Sequence, residues 1–340
     1  MMSLGLRLSF LLLYILSPTA THAEDFYKGK TLNLIVSTDA GTGYDIYARN
    51  IARHWSRHIP GAPAIQVQNL TGAGGLTATN LLYNVSSKDG LTLGLIQSTV
   101  PFEPLFGNKL ANFDPTKFQW IGTPGQETST MIVWHTVPVK TMEEARKRGL
   151  TLAATGGAST PAFYARVISA LLGVPINVIA GYKSQSDAFL GMERGENEGS
   201  AGSYYSSLKA AKPDWLADGK IRFLLQYGNM PNPSLKDVPF AMDLISAPAD
   251  RKLMELASAP LAMGRPILAP PGTPADRVEI LRRSLDAVFR DKDYLADCDR
   301  QGISCDTALG GRAITQLLDD SYKAPADVRQ RLIDMYSGRQ

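Results

Sequence analysis

The sequence predicts a mixed α/β chain folded as two lobes. Three observations predict it. Short β-branched runs alternate with amphipathic helical stretches, glycine-rich turns stand at the ends of the predicted strands, and the alternation begins afresh near Leu150.

The first set opens on a strand at 31–36, broken by Gly41 and Gly43, and continues as a helix from about Asp45 to Ile59. On that helix Ala48, Ile51, Ala52, Trp55 and Ile59 share one face, and Pro60 with Gly61 stops it. The unit repeats as a strand at 65–68, a glycine turn at 71–75 and a helix at 76–83. A third strand at 91–96 ends in the polar Gln97, Ser98 and Thr99. A parallel sheet fits all three strands, with glycine turns after the first two. The second set has strands at 151–154, 176–180 and 221–225. Helices are expected from Pro161, at a first turn where its missing N–H costs nothing, to Leu172, and from Ser184 to about Met192. A proline-rich crossing is expected at 230–239. A strand and tight turn at 266–274 then lead into terminal helices beginning with 275–290.

At the N-terminus Arg7 precedes a short apolar run, 8–15, and small residues up to Ala23. This is the order of an export signal, residues 1–23, cut after Ala23, and the run is too short for a membrane anchor. No cysteine stands at a lipid-attachment position, so a free periplasmic protein is expected. The formal charge of +3 is scattered, which argues against a nucleic-acid or membrane-surface partner. Cys298 and Cys305 are the two cysteines. In an oxidising compartment they either close a small loop or remain two separate thiols.

The glycine loops do not carry nucleotide chemistry. Ile46 stands where a dinucleotide fingerprint needs its third glycine, and the second strand ends in Gln68 and Asn69 without an acidic residue. There is no phosphate-binding lysine loop and no nucleophile elbow. His54 and His58 are spaced i,i+4 but lack the glutamate of a zinc protease, and are expected on a solvated helix face; His135 is expected in a loop. No catalytic set, metal site or cofactor is predicted.

What remains is a pattern of small polar residues at two helix starts: Ser37, Thr38, Thr42 and Gly43 at the first, and Gly156, Gly157, Ser159 and Thr160 at the second. Free backbone N–H groups and the positive helix end can hold an anion there without Arg or Lys. Ordinary caps and turns account for either loop alone.

The same residues carry a family resemblance. Leu34 to Asp45 match the first strand and glycine loop of the Bug-type, or tripartite tricarboxylate transporter, solute-binding receptors. Residues 67–75, 88–93, 181–184 and 268–274 resemble four further family segments in the correct order. The resemblance implies the type II periplasmic binding fold, with a ligand cleft between two lobes joined by hinge crossovers. Lobe one is expected at 24–130 and 260–340, and lobe two at 131–259. It further implies a monomer without catalytic activity that binds a carboxylate or amino acid and delivers it to a two-subunit membrane transporter. An exported hydrolase-like enzyme and a sensor subunit are the alternative readings.

Ser37, Thr38, Gly41, Thr42 and Gly43 are the expected donors of lobe one, with Asp45 capping the helix and orienting the loop. Ser98 and Thr99 are expected on the cleft floor. Gly157, Ser159 and Thr160 are the donors of lobe two, with Tyr182 and Ser203 as walls, though Tyr182 fits the lobe-two core equally well. The chain departs from the family at Thr38 and Asp39, where an aromatic-proline pair is usual. A desolvated Asp39 would repel an acidic ligand, so it faces outward, or the ligand carries an ammonium group or is neutral.

Overall fold

The computed structural model describes residues 26–156 and 159–337; the expected export segment and Gly157 lie outside the described residues. Two sheets form. The first contains β1 (Thr31–Val36), β2 (Ala64–Asn69), β3 (Thr92–Leu95), β4 (Gln119–Thr123), β10 (Ile267–Ala269) and β11 (Leu309–Gly310), in the order β11-β4-β10-β3-β1-β2. The second contains β5 (Ser129–Trp134), β6 (Leu150–Ala154), β7 (Ile176–Ala180), β8 (Gly199–Tyr204) and β9 (Ile221–Tyr227), in the order β7-β6-β8-β5-β9.

Side chains alternate between the faces of the first sheet with the period of two that a strand imposes. Leu32, Leu34, Val36, Leu93 and Leu95 face helices α1 (Gly43–Trp55) and α9 (Ala275–Val288), packing on Ile51, Trp55, Leu281 and Leu285. Ile35, Ile96, Trp120 and Leu268 lie on the other face against α2 (Leu76–Asn84) and α11 (Gly311–Tyr322). Both faces are covered, which is why these strands read as nearly unbroken apolar runs. The second sheet is sandwiched likewise. Met131, Val133, Leu152 and Leu225 pack with α4 (Thr160–Leu172) and α8 (Pro248–Met263), while Ile132 meets Phe189, Met192 and Trp215. The last helix, α12 (Ala326–Ser337), places Val328 and Leu332 in this second core.

Sheet topology fixes where the two lobes meet. In the first sheet β10 runs antiparallel to both β3 and β4, with Ile267 opposite Leu95 and Gly122. In the second, β5 is antiparallel to β8 and β9, with Ser129 opposite Tyr204 and Tyr227. The outward crossover from Thr123 to Ser129 and the return from Met263 to Ile267 therefore join the carboxyl edges of the parallel strands of both sheets. Those are the edges that carry the loops singled out in the sequence.

The local structure departs from expectation in three places. The first helix ends at Trp55 and continues as a 3₁₀ turn, Ser56–His58. Its histidines are not on a solvated face: His54 is buried and its Nε2 lies 2.5 Å from Asp297, while His58 Nε2 lies 2.7 Å from Asp291. These aspartates come from α10 (Lys292–Arg300) and the residue before it, so the pairs staple α10 onto α1. The His54 contact, then Arg300, hold the Asp297 carboxyl below its ordinary range. Finally, the proline-rich segment 230–239 does not cross back. Gln226 on β9 donates to the carbonyls of Leu235 and Val238 and accepts from Asn232 N–H, folding the segment onto the second lobe. The return is made by α8. Cys298 and Cys305 are bonded, with Cα atoms 6.3 Å apart, and Asn50 of α1 donates to the Cys298 sulfur at 3.3 Å.

Candidate ligand site

The loop after β1 is braced by its own side chains. Asp45 sits in the first turn of α1 and is 3 % exposed. Its carboxylate accepts from the Gly41 N–H at 2.9 Å, from Arg49 Nε at 3.0 Å and from Asn69 Nδ2 at 3.0 Å. It reaches back into the loop in the manner of the third residue of a capping box. Burial alone would raise this carboxyl, but the bonds from Arg49, Gly41 and Asn69 prevail and hold it below the ordinary value.

Asn69 also donates to the Thr38 carbonyl, and the hydroxyls of Thr38 and Thr42 lie 2.7 Å apart. Gly41 has φ +79°, a conformation that suits glycine at the tip of this turn. Thr42 occupies the cap position but spends its hydroxyl on the Asp39 carbonyl and Thr38, not on the helix N–H groups. The N–H groups of Gly43, Tyr44 and Asp45 are thus left without a partner among the described residues. Three free donors at the positive end of a 13-residue helix are an arrangement that can hold an anion. Asp39 is exposed, and its carboxylate makes no hydrogen bond among the described residues.

Beside this loop lie the ends of β1 and β3. Ser37 is buried, and its hydroxyl accepts from Gln97 N–H at 3.0 Å, tying the two strand ends together. The buried Ser98 gives its backbone N–H to the Tyr44 hydroxyl at 3.1 Å, and that hydroxyl donates in turn to the Gly264 carbonyl. Thr99 is half-buried and opens a short 3₁₀ turn.

In the second lobe Ser159 occupies the N-cap position of α4 without capping it, its hydroxyl donating instead to the Gly156 carbonyl at 2.7 Å. Thr160 begins the helix and Pro161 follows, seated against Gly202 of β8, where a Cβ would come within 3.0 Å of the proline. Ser203 is buried, with its hydroxyl unpartnered among the described residues. Tyr182 is turned toward α5 (Gln185–Glu193): its ring covers Gly191 and its hydroxyl accepts from Asn197 at 3.1 Å.

Two groups at the crossovers escaped the sequence reading. Arg265 and Glu127 are each about 5 % exposed at the side chain and form an ion pair between the return and outward crossovers. Burial would lower the Arg265 pKa, but Glu127 holds it above the ordinary value. Glu127 also accepts from the Ser206 hydroxyl of the second lobe at 2.7 Å. The guanidinium lies 4.1 Å from the Tyr47 ring centroid and 5.5 Å from that of Tyr44. The available signal was a lone charge between Gly264 and Pro266, immediately before an apolar strand. A small cavity of 80 Å³ opens beside these residues, lined by Glu127, Tyr205, Ser206 and Ser304 among others. A larger cavity, 680 Å³, lies elsewhere, between α8, α11 and the turn into α12.

Comparisons agree with this architecture. A TctC solute-binding protein from Polaromonas, solved without ligand, superposes with a TM-score of 0.71 at 21 % identity, covering 91 % of this chain and 99 % of that one. MatC from Rhodopseudomonas palustris with bound malate gives 0.63 at 19 % identity over 91 % and 99 %. Rpa4515 from R. palustris with adipate gives 0.65 at 18 % identity over 91 % and 98 %. No curated protein matches the chain by sequence. Among the described residues no helix is long and apolar enough to cross a membrane. The profile of the tripartite tricarboxylate transporter family receptor, TctC, matches residues 47–304, and with three quarters of its length so matched the chain belongs to that family of solute-binding receptors.

Proposed function

We propose that this receptor works in the periplasm and closes its two lobes over a small carboxylate, which it delivers to a two-subunit membrane transporter. The reading rests on one observation above the others: the three unpartnered N–H groups of Gly43, Tyr44 and Asp45, held in place by a buried carboxylate that points away from them into the loop. A helix end prepared in this way favours an anion and gives a neutral ligand little. Malate and adipate in the structures of two neighbours support the ligand class. The exposed Asp39, free of hydrogen bonds, is compatible with an acidic ligand because water screens it. The charged, apolar and small-residue order of segment 1–23 supports export.

The test is a thermal-shift series on the mature protein with malate, adipate, neutral diols of the same length and amino acids. A ligand at 100 times its dissociation constant adds about 2.7 kcal/mol, enough to displace the melting curve by several degrees. Shifts with the acids alone are expected. A shift with the diols, or with none of the acids, rejects carboxylate capture.

A further inference from the structure

The Arg265 side chain offers three nitrogens, and only Nη1 is used, by Glu127. Nε is fully buried without a partner, and Nη2 makes no hydrogen bond among the described residues. These two N–H groups lie on the same side of the guanidinium and form the two-pronged edge that matches a carboxylate. The edge lies beside the start of α1: a Cβ added to Gly43 would stand 3.4 Å from Nη2 and 3.9 Å from Nε. Gly43 is the first residue of α1 and one of the three free N–H donors. A buried cation with most of its donors idle is costly to the protein, and a carboxylate oxygen supplied by a ligand removes that cost.

The geometry points to Arg265 as a ligand-binding residue, its Nε/Nη2 edge engaging the carboxylate held at the start of α1. This rests on the reading of the cleft as a carboxylate site. The glycine at position 43 acquires a purpose from it, since it leaves the guanidinium room to reach the helix end. Glu127 orients the guanidinium from the opposite side, and Tyr47 supports its face. The ligand class is sharpened accordingly to acids with a planar carboxylate, taken in preference to sulfonates of equal charge.

The experiment uses the full mature chain with malate and adipate as probes. Binding is measured by calorimetry for the wild type, R265K, G43A and the double variant, and the arginine Nε–H resonances are followed during titration. Lysine keeps a positive charge opposite Glu127 but loses the planar fork. The methyl of G43A leaves the ion pair intact and enters at ordinary contact distance, so at least one variant retains the fold. Each single substitution is expected to weaken binding by about tenfold or more. The double variant should be no weaker than R265K alone, and the Arg265 Nε–H signal should shift along the binding curve. Wild-type affinity in R265K, together with an Arg265 Nε–H resonance that does not move when the wild type is titrated, overturns the role of Arg265 and leaves carboxylate capture standing. Failure of the wild type to bind any small acid overturns both.

Discussion

The loops at the two helix starts are alike in composition and unlike in construction. In the first lobe Asp45, Asn69, Thr38 and Thr42 brace one another, and Arg49 closes the set from outside. In the second, Ser159 bonds back to Gly156 within its own turn, and the helix start leans on β8 through Pro161 and Gly202. One loop is a cross-linked cradle fixed to two strands; the other depends on local turn chemistry. The contrast teaches that small polar residues at a helix start do not define a rigid site. Rigidity comes from a buried acceptor that several donors share.

The contrast breaks most directly at Asp45. D45A leaves the Gly41 N–H and Asn69 amide without their acceptor and should cost about 2 kcal/mol in urea unfolding, with ligand affinity falling by about tenfold. Its pH signature is a sharper test. The folded-state pKa is depressed, so the stabilisation is fully present above the unfolded value near 4 and disappears as pH falls through the lower folded value. The gap between wild type and D45N should therefore stay constant from about pH 5 to 8 and narrow in acid. A constant gap down to pH 2 would mean the carboxylate is not the source.

A second test asks whether the first cradle owes its rigidity to its own bonds or to the lobe beneath it. Replacing Cys298 and Cys305 together by serine should lower unfolding stability by about 2 kcal/mol through the freed unfolded chain, yet leave ligand affinity within about twofold. A large loss of affinity would place the control in α10. N69A should cost about 1 kcal/mol, since Asn69 serves both the Thr38 carbonyl and Asp45. S159A in the second lobe removes the turn bond to Gly156 and should change stability by about 0.5 kcal/mol, the smallest effect. Equal effects of N69A and S159A on affinity would erase the distinction between the loops.

Much of this was legible in the sequence for a physical reason. Strands 31–36 and 176–180 and the helix ending at Leu172 carry periodicity, glycine punctuation and proline positions that act over a few residues. Strand β8 was not legible. Its Gly-Ser-Ala-Gly-Ser run lacks β-branched residues because its neighbours come too close; a Cβ on Gly199 would collide with the Ile132 carbonyl. His54 and His58 looked solvated because their aspartate partners stand more than 230 residues away. The ion pair of Glu127 and Arg265 spans 138 residues, and no local pattern announces such a contact. Asp45 was recognisable as an organiser since its targets Gly41 and Arg49 are four residues distant on either side.

Strand β10 occupies the middle of the first sheet, between β3 and β4, yet it is made from residues 267–269. A chain that emerges N-terminus first holds β1, β2 and β3 for a long interval with one edge unpaired. That edge closes only after the entire second sheet has been produced. Closing so long a loop is slow, and an open apolar edge invites association with other chains. The lobe that contains the beginning of the chain is therefore the later one to be completed.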